Sequence, residues 1–174
     1  MKRIIACLIT IIMVVSLLPA GVFTSFAATS YDLWIGTTEV TSENLSGDGW
    51  SYAPSTGTLT LNNFNYEGVG HYDSNTNCSP IFYTGENTLT VELKGTNNVK
   101  QTGGNVRIAS GVISFGKLTF TGGGTLNATG ADGLYNTGIF SEDDIVITGG
   151  TIIARAEDVT VDDLNVYAIY QTAT

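Results

Sequence analysis

The chain has 174 residues, with 16 acidic and 7 basic side chains and a formal net charge of −9. That balance argues against binding nucleic acid or anionic lipid through bulk charge. With only two cysteines it is no disulfide-dense scaffold.

The chain opens MKRIIACLITIIMVVSLLPAGVFTSFAA. Lys2 and Arg3 precede an apolar run from Ile4 to Leu18, then Pro19 and Gly21. The run is short for a membrane span of about 20 residues, and the small residues Ser25, Ala27 and Ala28 suit a signal peptidase. Residues 1–28 therefore read as a secretory signal peptide. Removing it leaves about 146 residues, one domain with a modest core. It also takes away two of the seven cations and none of the 16 acids, which suits an extracellular protein. Cys7 leaves too, so Cys78 has no disulfide partner within the chain.

Residues 29–60 are expected to form an N-terminal β cap. Tyr31–Gly36 with Thr38–Val40 reads as one hairpin, and Gly47–Tyr52 with Thr58 and Leu59 as another. Trp34 and Trp50 are the large apolar side chains that would pack there as a lid over a first coil.

From residue 61 to 174 the chain repeats itself. Leu59-Thr-Leu61, Leu89-Thr-Val91, Leu118-Thr-Phe120 and Ile145-Val-Ile147 recur at roughly 30 residues, the mark of a stacked architecture. A second series, Ile81-Phe-Tyr83, Gly111-Val-Ile113, Gly138-Ile-Phe140 and Ala168-Ile-Tyr170, precedes the next doublet each time. A third follows at Asn98-Val99, Thr125–Ala128 and Thr151–Ala154. Three short strands per unit, with little helical periodicity, predict an all-β, right-handed, single-stranded parallel β-helix of about four coils. Alternation would send Leu118, Phe120, Ile145 and Ile147 inward. Gly122-Gly123-Gly124 and Gly149-Gly150 fall at the same corner of successive coils, with Asn62-Asn63 and Lys94-Gly95 in the matching place. Such corners favour φ > 0, which glycine reaches without a steric cost. The closing NVYAIYQTAT reads as a strand just begun, so the coils are expected to continue in a longer protein. An antiparallel sandwich would need these corners to act as hairpin turns instead.

The phrases YDLWIGTTEVTSENLSGDGWSYAPSTGTLTLNNF, LTVELKGTNNV, GKLTFTGGGTLNATG and GIFSEDDIVITGG resemble a family of secreted β-helical surface proteins common in clostridia and related Firmicutes. Similar repeats occur in carbohydrate-binding-domain-containing proteins, some of which bind plant cell-wall polysaccharides and calcium. The resemblance implies a cell-surface location and further coils or domains, but transfers no residue-level sugar motif.

The residues favour binding over catalysis. Glycoside hydrolysis needs two carboxylates across the scissile bond, and the acidic runs Glu142-Asp143-Asp144 and Asp162-Asp163 fall in turns. Gly-His-Gly is absent, and a lyase base would have to be Arg107 or Arg155. Arg155 is expected to pair with Glu157 or Asp158 at the surface. His71 is the one histidine, and nothing in the spacing joins it to Cys78. Calcium is the one cofactor suggested, with Glu142, Asp143 and Asp144 as candidate ligands. Sugar binding calls for exposed rings, and Tyr66, Tyr72, Tyr83, Tyr135 and Tyr170 are the candidates, with Tyr167 also available. Tyr83, Phe140 and Tyr170 would form a column across coils, to stack on sugars or to border the core. The expected function is a secreted, non-catalytic carbohydrate-binding module. The alternatives are a structural stalk or adhesin segment and a polysaccharide lyase or hydrolase. No nucleic acid or membrane partner is expected after signal cleavage.

Overall fold

The computed structural model describes residues 27–73, 76–104, 106–157 and 165–172. The signal peptide and the pair Asp162-Asp163 lie outside them. The described chain is all strand and turn, with no helix.

Two hairpins come first. Strands β1 (Ser30–Ile35) and β2 (Thr38–Thr41) pair antiparallel, as do β3 (Ser46–Gly47) and β4 (Trp50–Ala53). The first coil holds β5 (Thr58–Asn62), β6 (Asn65–Gly68), the short β7 (His71–Tyr72), β8 (Asn77–Ser79) and β9 (Ile81–Tyr83). The second holds β10 (Leu89–Lys94), β11 (Thr96–Gln101) and β12 (Val106–Ser114). The third holds β13 (Leu118–Gly122), β14 (Thr125–Gly130) and β15 (Gly133–Ser141). The fourth holds β16 (Ile145–Ile147), β17 (Thr151–Ala156) and β18 (Asn165–Gln171).

Equivalent strands of successive coils pair in parallel, so the coils stack as a β-solenoid of three ladders. The first ladder runs β5-β10-β13-β16 and the second β6-β11-β14-β17. The third runs β9-β12-β15-β18, with β8 also beside β12. The N-terminal hairpins join two of them, β1 antiparallel to β9 and β4 antiparallel to β5. Trp50 packs on the main core, whereas Trp34 sits outside it, against Phe82.

The core is the channel between the ladders, filled by Leu59, Leu61, Leu89, Leu93, Leu118 and Phe120, all fully buried. Burying such side chains is the main favourable term for a fold whose strands are short. Ile145 is only half-buried, and Ile147 is 50% exposed at the edge of the fourth coil.

Two registers differ from the doublet reading. Leu59 pairs with Val91 and Leu61 with Leu93, so the first coil is two residues longer than the alignment of Leu59 with Leu89 implies. An even shift keeps the same side chains inward, so the pattern conceals it. The third ladder carries an odd shift. Ile81 pairs with Val112 and Phe82 with Ile113, so Pro80-Ile-Phe82 matches Gly111-Val-Ile113, Gly138-Ile-Phe140 and Ala168-Ile-Tyr170. The cross-coil column is therefore Phe82–Ile113–Phe140–Tyr170. Tyr83 belongs to the next column, with Ser114, Ser141 and Gln171, and its ring is buried in the main core.

Alternation breaks once in each long strand of this ladder. Ile108 packs in an outer cluster and Ala109 in an inner one; Val112 then faces the main core and Ile113 the outer cluster. The break falls at Gly111, and at Gly138 in the next coil. A Cβ at Gly111 would meet Thr129 N at 2.7 Å, and one at Gly138 would meet Arg155 N at 2.5 Å. The strands bend there against the second ladder, and the extra residue restores the outward face. Tyr135 and Thr137 before the bend share a face with Phe140 and Glu142 after it.

Candidate functional site: a groove on the third ladder

That shared face forms the floor of a groove of about 220 Å³. Its aromatic wall is Tyr135, Phe140, Tyr167 and Tyr170, from β15 and β18. The Phe140 and Tyr170 rings stack with centroids 5.7 Å apart, and Tyr167 tilts against Tyr170 at 5.0 Å. Tyr167 is 39% exposed, and Tyr135 and Tyr170 are half-buried, so each offers part of a ring to a ligand. Thr137 forms part of the floor and hydrogen-bonds its hydroxyl to Ser110 of the coil below.

Polar groups border the rings. Arg107 lies with Cζ 5.9 Å from the Tyr135 centroid and, among the described residues, makes no ion pair. Cation–π contact of this kind holds the guanidinium over the ring at the mouth. Glu142 is the one described carboxylate lining the groove. Asn77 joins the floor from the first coil, in register with Ile108, which in turn pairs with Tyr135.

The five tyrosines singled out from sequence divide. Tyr135 and Tyr170 line the groove. Tyr66 pairs with Val99 in a column that faces the main core, and stacks on Phe64 at 6.4 Å. Tyr72 is exposed on β7, and its hydroxyl donates to Gly104 O at 3.2 Å. Tyr83 edges a separate open cavity of about 710 Å³ beside Tyr31 and Tyr52. Burial raises the pKa of the Tyr83 hydroxyl, with Tyr52 and Asp32 adding to the effect. Sequence reasoning ranked Tyr167 behind the others and missed Asn77 and Arg107 as groove residues. The signal for Tyr167 was its spacing of three from Tyr170, which only the break at Ala168 converts into a shared face.

The acidic run does not converge. Asp143 Oδ1 accepts from its neighbour Asp144 N at 2.6 Å. Asp144 faces Lys117 at 3.8 Å and accepts from Gln171 Nε2 at 3.4 Å. Glu142 turns to the groove. Among the described residues no three acidic, histidine or cysteine side chains are placed to hold one metal ion. Glu157 pairs with Lys100 at 2.9 Å, across the second ladder, rather than with Arg155.

His71 and Cys78 lie on paired strands but point apart. The His71 ring stacks on Trp34 at 4.1 Å, outside the core. Cys78 is fully buried, and its thiol donates to Val69 O. Burial pushes that thiol up to about 11, far from a thiolate nucleophile at neutral pH.

No curated protein and no solved structure matches the chain. The family model described as "Carbohydrate-binding domain-containing protein" matches residues 69–171, a span that holds every strand of the third ladder's parallel face and all the ring-bearing residues of the groove. The chain belongs to this carbohydrate-binding domain-containing family.

Proposed function

We propose that the protein is a secreted, non-catalytic module that binds a glycan along the groove of the third ladder. The observation that carries this reading is the gathering of Tyr135, Tyr167 and Tyr170, from two successive coils, on one face beside Arg107 and Glu142. Flat rings give a sugar its apolar contact, and a few placed polar groups orient it. Among the described lining residues Glu142 is the one carboxylate, where a glycosidase sets two across the bond, and this supports binding over hydrolysis. The apolar leader supports secretion. The two N-terminal hairpins serve as a cap, since they pair with strands that would otherwise be open edges. A right-handed winding accords with the handedness that parallel crossovers almost always take. Calcium, if it binds, would have to draw on ligands besides Glu142, Asp143 and Asp144, whose oxygens point to different partners.

Titration with soluble polysaccharides tests the reading. Binding to at least one polymer, lost on Tyr135→Ala or Tyr170→Ala in folded protein, is the expected result. Binding unchanged in both variants would remove the groove from the account. The stalk or adhesin reading draws on the fourth coil, where Ile147 and Ile169 are 50% and 44% exposed. Self-association without glycan binding would favour it.

A further inference from the structure

One polar atom in the groove floor is unsatisfied. Asn77 is 6% exposed, and its Oδ1 is buried without a hydrogen-bond partner among the described residues. The amide cannot simply be turned over. Asp73 accepts from Asn77 N and from Asn77 Nδ2, each at 2.8 Å, and an ionised carboxylate can only accept. The amide nitrogen is therefore fixed on Asp73 and the carbonyl is fixed away from it. A buried acceptor left without a donor is costly, and such exceptions call for a reason.

The surroundings of this atom describe what would satisfy it. Arg107 is exposed, carries several N–H donors and has no ion pair among the described residues. Its backbone N–H donates to Thr76 O at 2.8 Å, which sets it diagonally across from Asn77 on the adjoining strand. Ile108, next to Arg107 and paired with Asn77, is buried in the floor with 8% of its surface exposed. The end of the groove thus offers an acceptor, a donor and an apolar surface, all beside the Tyr135 ring.

Taking the groove as a glycan site, as proposed above, we propose that this end receives an N-acetylated hexosamine. Its acetamido N–H donates to Asn77 Oδ1, its carbonyl accepts from the Arg107 guanidinium, and its methyl group covers Ile108. Bulk water does not reach Oδ1 in the free protein, so the donor arrives as the side chains around it give way. A sugar carboxylate supplies only acceptors and leaves Asn77 unsatisfied. A plain hydroxyl supplies the hydrogen bond to Asn77 but brings no carbonyl for Arg107.

Calorimetric titration of the protein with chitotetraose and with cellotetraose tests this, because the two differ only in acetamido against hydroxyl at each ring. A peptide-free peptidoglycan tetrasaccharide, which also carries acetamido groups, separates a chitin-like source from a bacterial wall source. The expected result is chitotetraose or the peptidoglycan oligomer bound at least about tenfold tighter than cellotetraose, the worth of one good hydrogen bond. Arg107→Gln, at an exposed position, should reduce the acetylated ligand to the level of cellotetraose, and Asn77→Ala should do the same. Equal or tighter binding of cellotetraose, abolished by Tyr170→Ala, would overturn the acetamido assignment and keep the groove. Failure of all three oligosaccharides to bind would overturn the acetamido assignment, and binding of the acetylated ligand that Tyr170→Ala leaves intact would remove the groove as well.

Discussion

The ring of Tyr170 lies on that of Phe140, centroids 5.7 Å apart and planes inclined by only 13°. The pair exists because β15 and β18 run parallel in register, which places equivalent residues of successive coils one above the other. Stacking in a solenoid copies a side chain's direction from coil to coil, so an outward ring in one coil becomes a row in several. In the described chain that row runs Phe82–Ile113–Phe140–Tyr170, with Trp34 packed against Phe82 at one end and Tyr167 tilted on Tyr170 at the other.

The three glycines of the corner Gly122-Gly123-Gly124 should not be equivalent. Gly122 has φ +93°, and a Cβ there would collide with Leu93 O. A Cβ at Gly124 would meet Gly95 O at 2.6 Å, whereas one at Gly123 would meet nothing within 4 Å. Gly123→Ala should stay within about 0.5 kcal/mol of the parent, and Gly122→Ala or Gly124→Ala should cost about 2 kcal/mol or more. Chemical denaturation of the three variants reads the difference. Equal losses would contradict the corner geometry.

Much of this was legible in the residues, and the reasons for the rest are specific. Glycine corners and apolar doublets are imposed directly by backbone shape and burial, so the coils, the ladders and the pairings of β1 with β2 and of β4 with β5 could be read, while the pairing of β3 with β4 could not. The break in alternation could not, because Pro80, Gly111, Gly138 and Ala168 occupy it with three different residue types. Missing it placed Tyr83 in the outer column, one residue out of register, and a one-residue slip turns a side chain to the opposite face. Asn77 and Arg107 carry no local signature, since their meeting depends on the pairing of β8 with β12. The acidic run looked like a ligand set because sequence shows adjacency and not direction.

Asn97 faces inward where an apolar residue would be expected, and it holds three coils together. Its Oδ1 accepts from Phe64 N at 2.9 Å, and its Nδ2 donates to Lys94 O at 3.2 Å and Thr125 O at 3.0 Å. Asn97→Ala should cost about 2–3 kcal/mol, because it leaves backbone groups of successive coils unpaired. Asn97→Leu should not recover that loss despite added apolar volume. Urea midpoints measure both.

Cys78 should resist alkylation in the folded protein. Its thiol is fully buried and stays protonated well above neutral pH. Iodoacetamide at pH 8 should label it only after unfolding, as read by mass spectrometry. Rapid labelling of native protein would contradict its place between Val69, Val106 and Ala109.

His71 should make the fold less stable in mild acid. Burial against Trp34 lowers its pKa, outweighing Asp73 and Glu39, which act in the opposite sense. The unfolded chain then binds the proton more readily, so this contribution is intact above about pH 6.5 and declines as pH falls through that value toward the folded pKa. The difference in melting temperature between the parent and His71→Gln should therefore shrink from pH 7.5 to pH 5. A difference that grows over that range would reverse the assignment.

The proposed glycan site is the tyrosine face of the third ladder. Affinity electrophoresis of the parent and of Tyr170→Ala, through gels containing plant and bacterial polysaccharides, tests it most directly. Circular dichroism would confirm that both are folded. At least one polymer should retard the parent, and the variant should run through the same gel unretarded. Unretarded migration of the folded parent in every gel, or equal retardation of the two proteins, would contradict it.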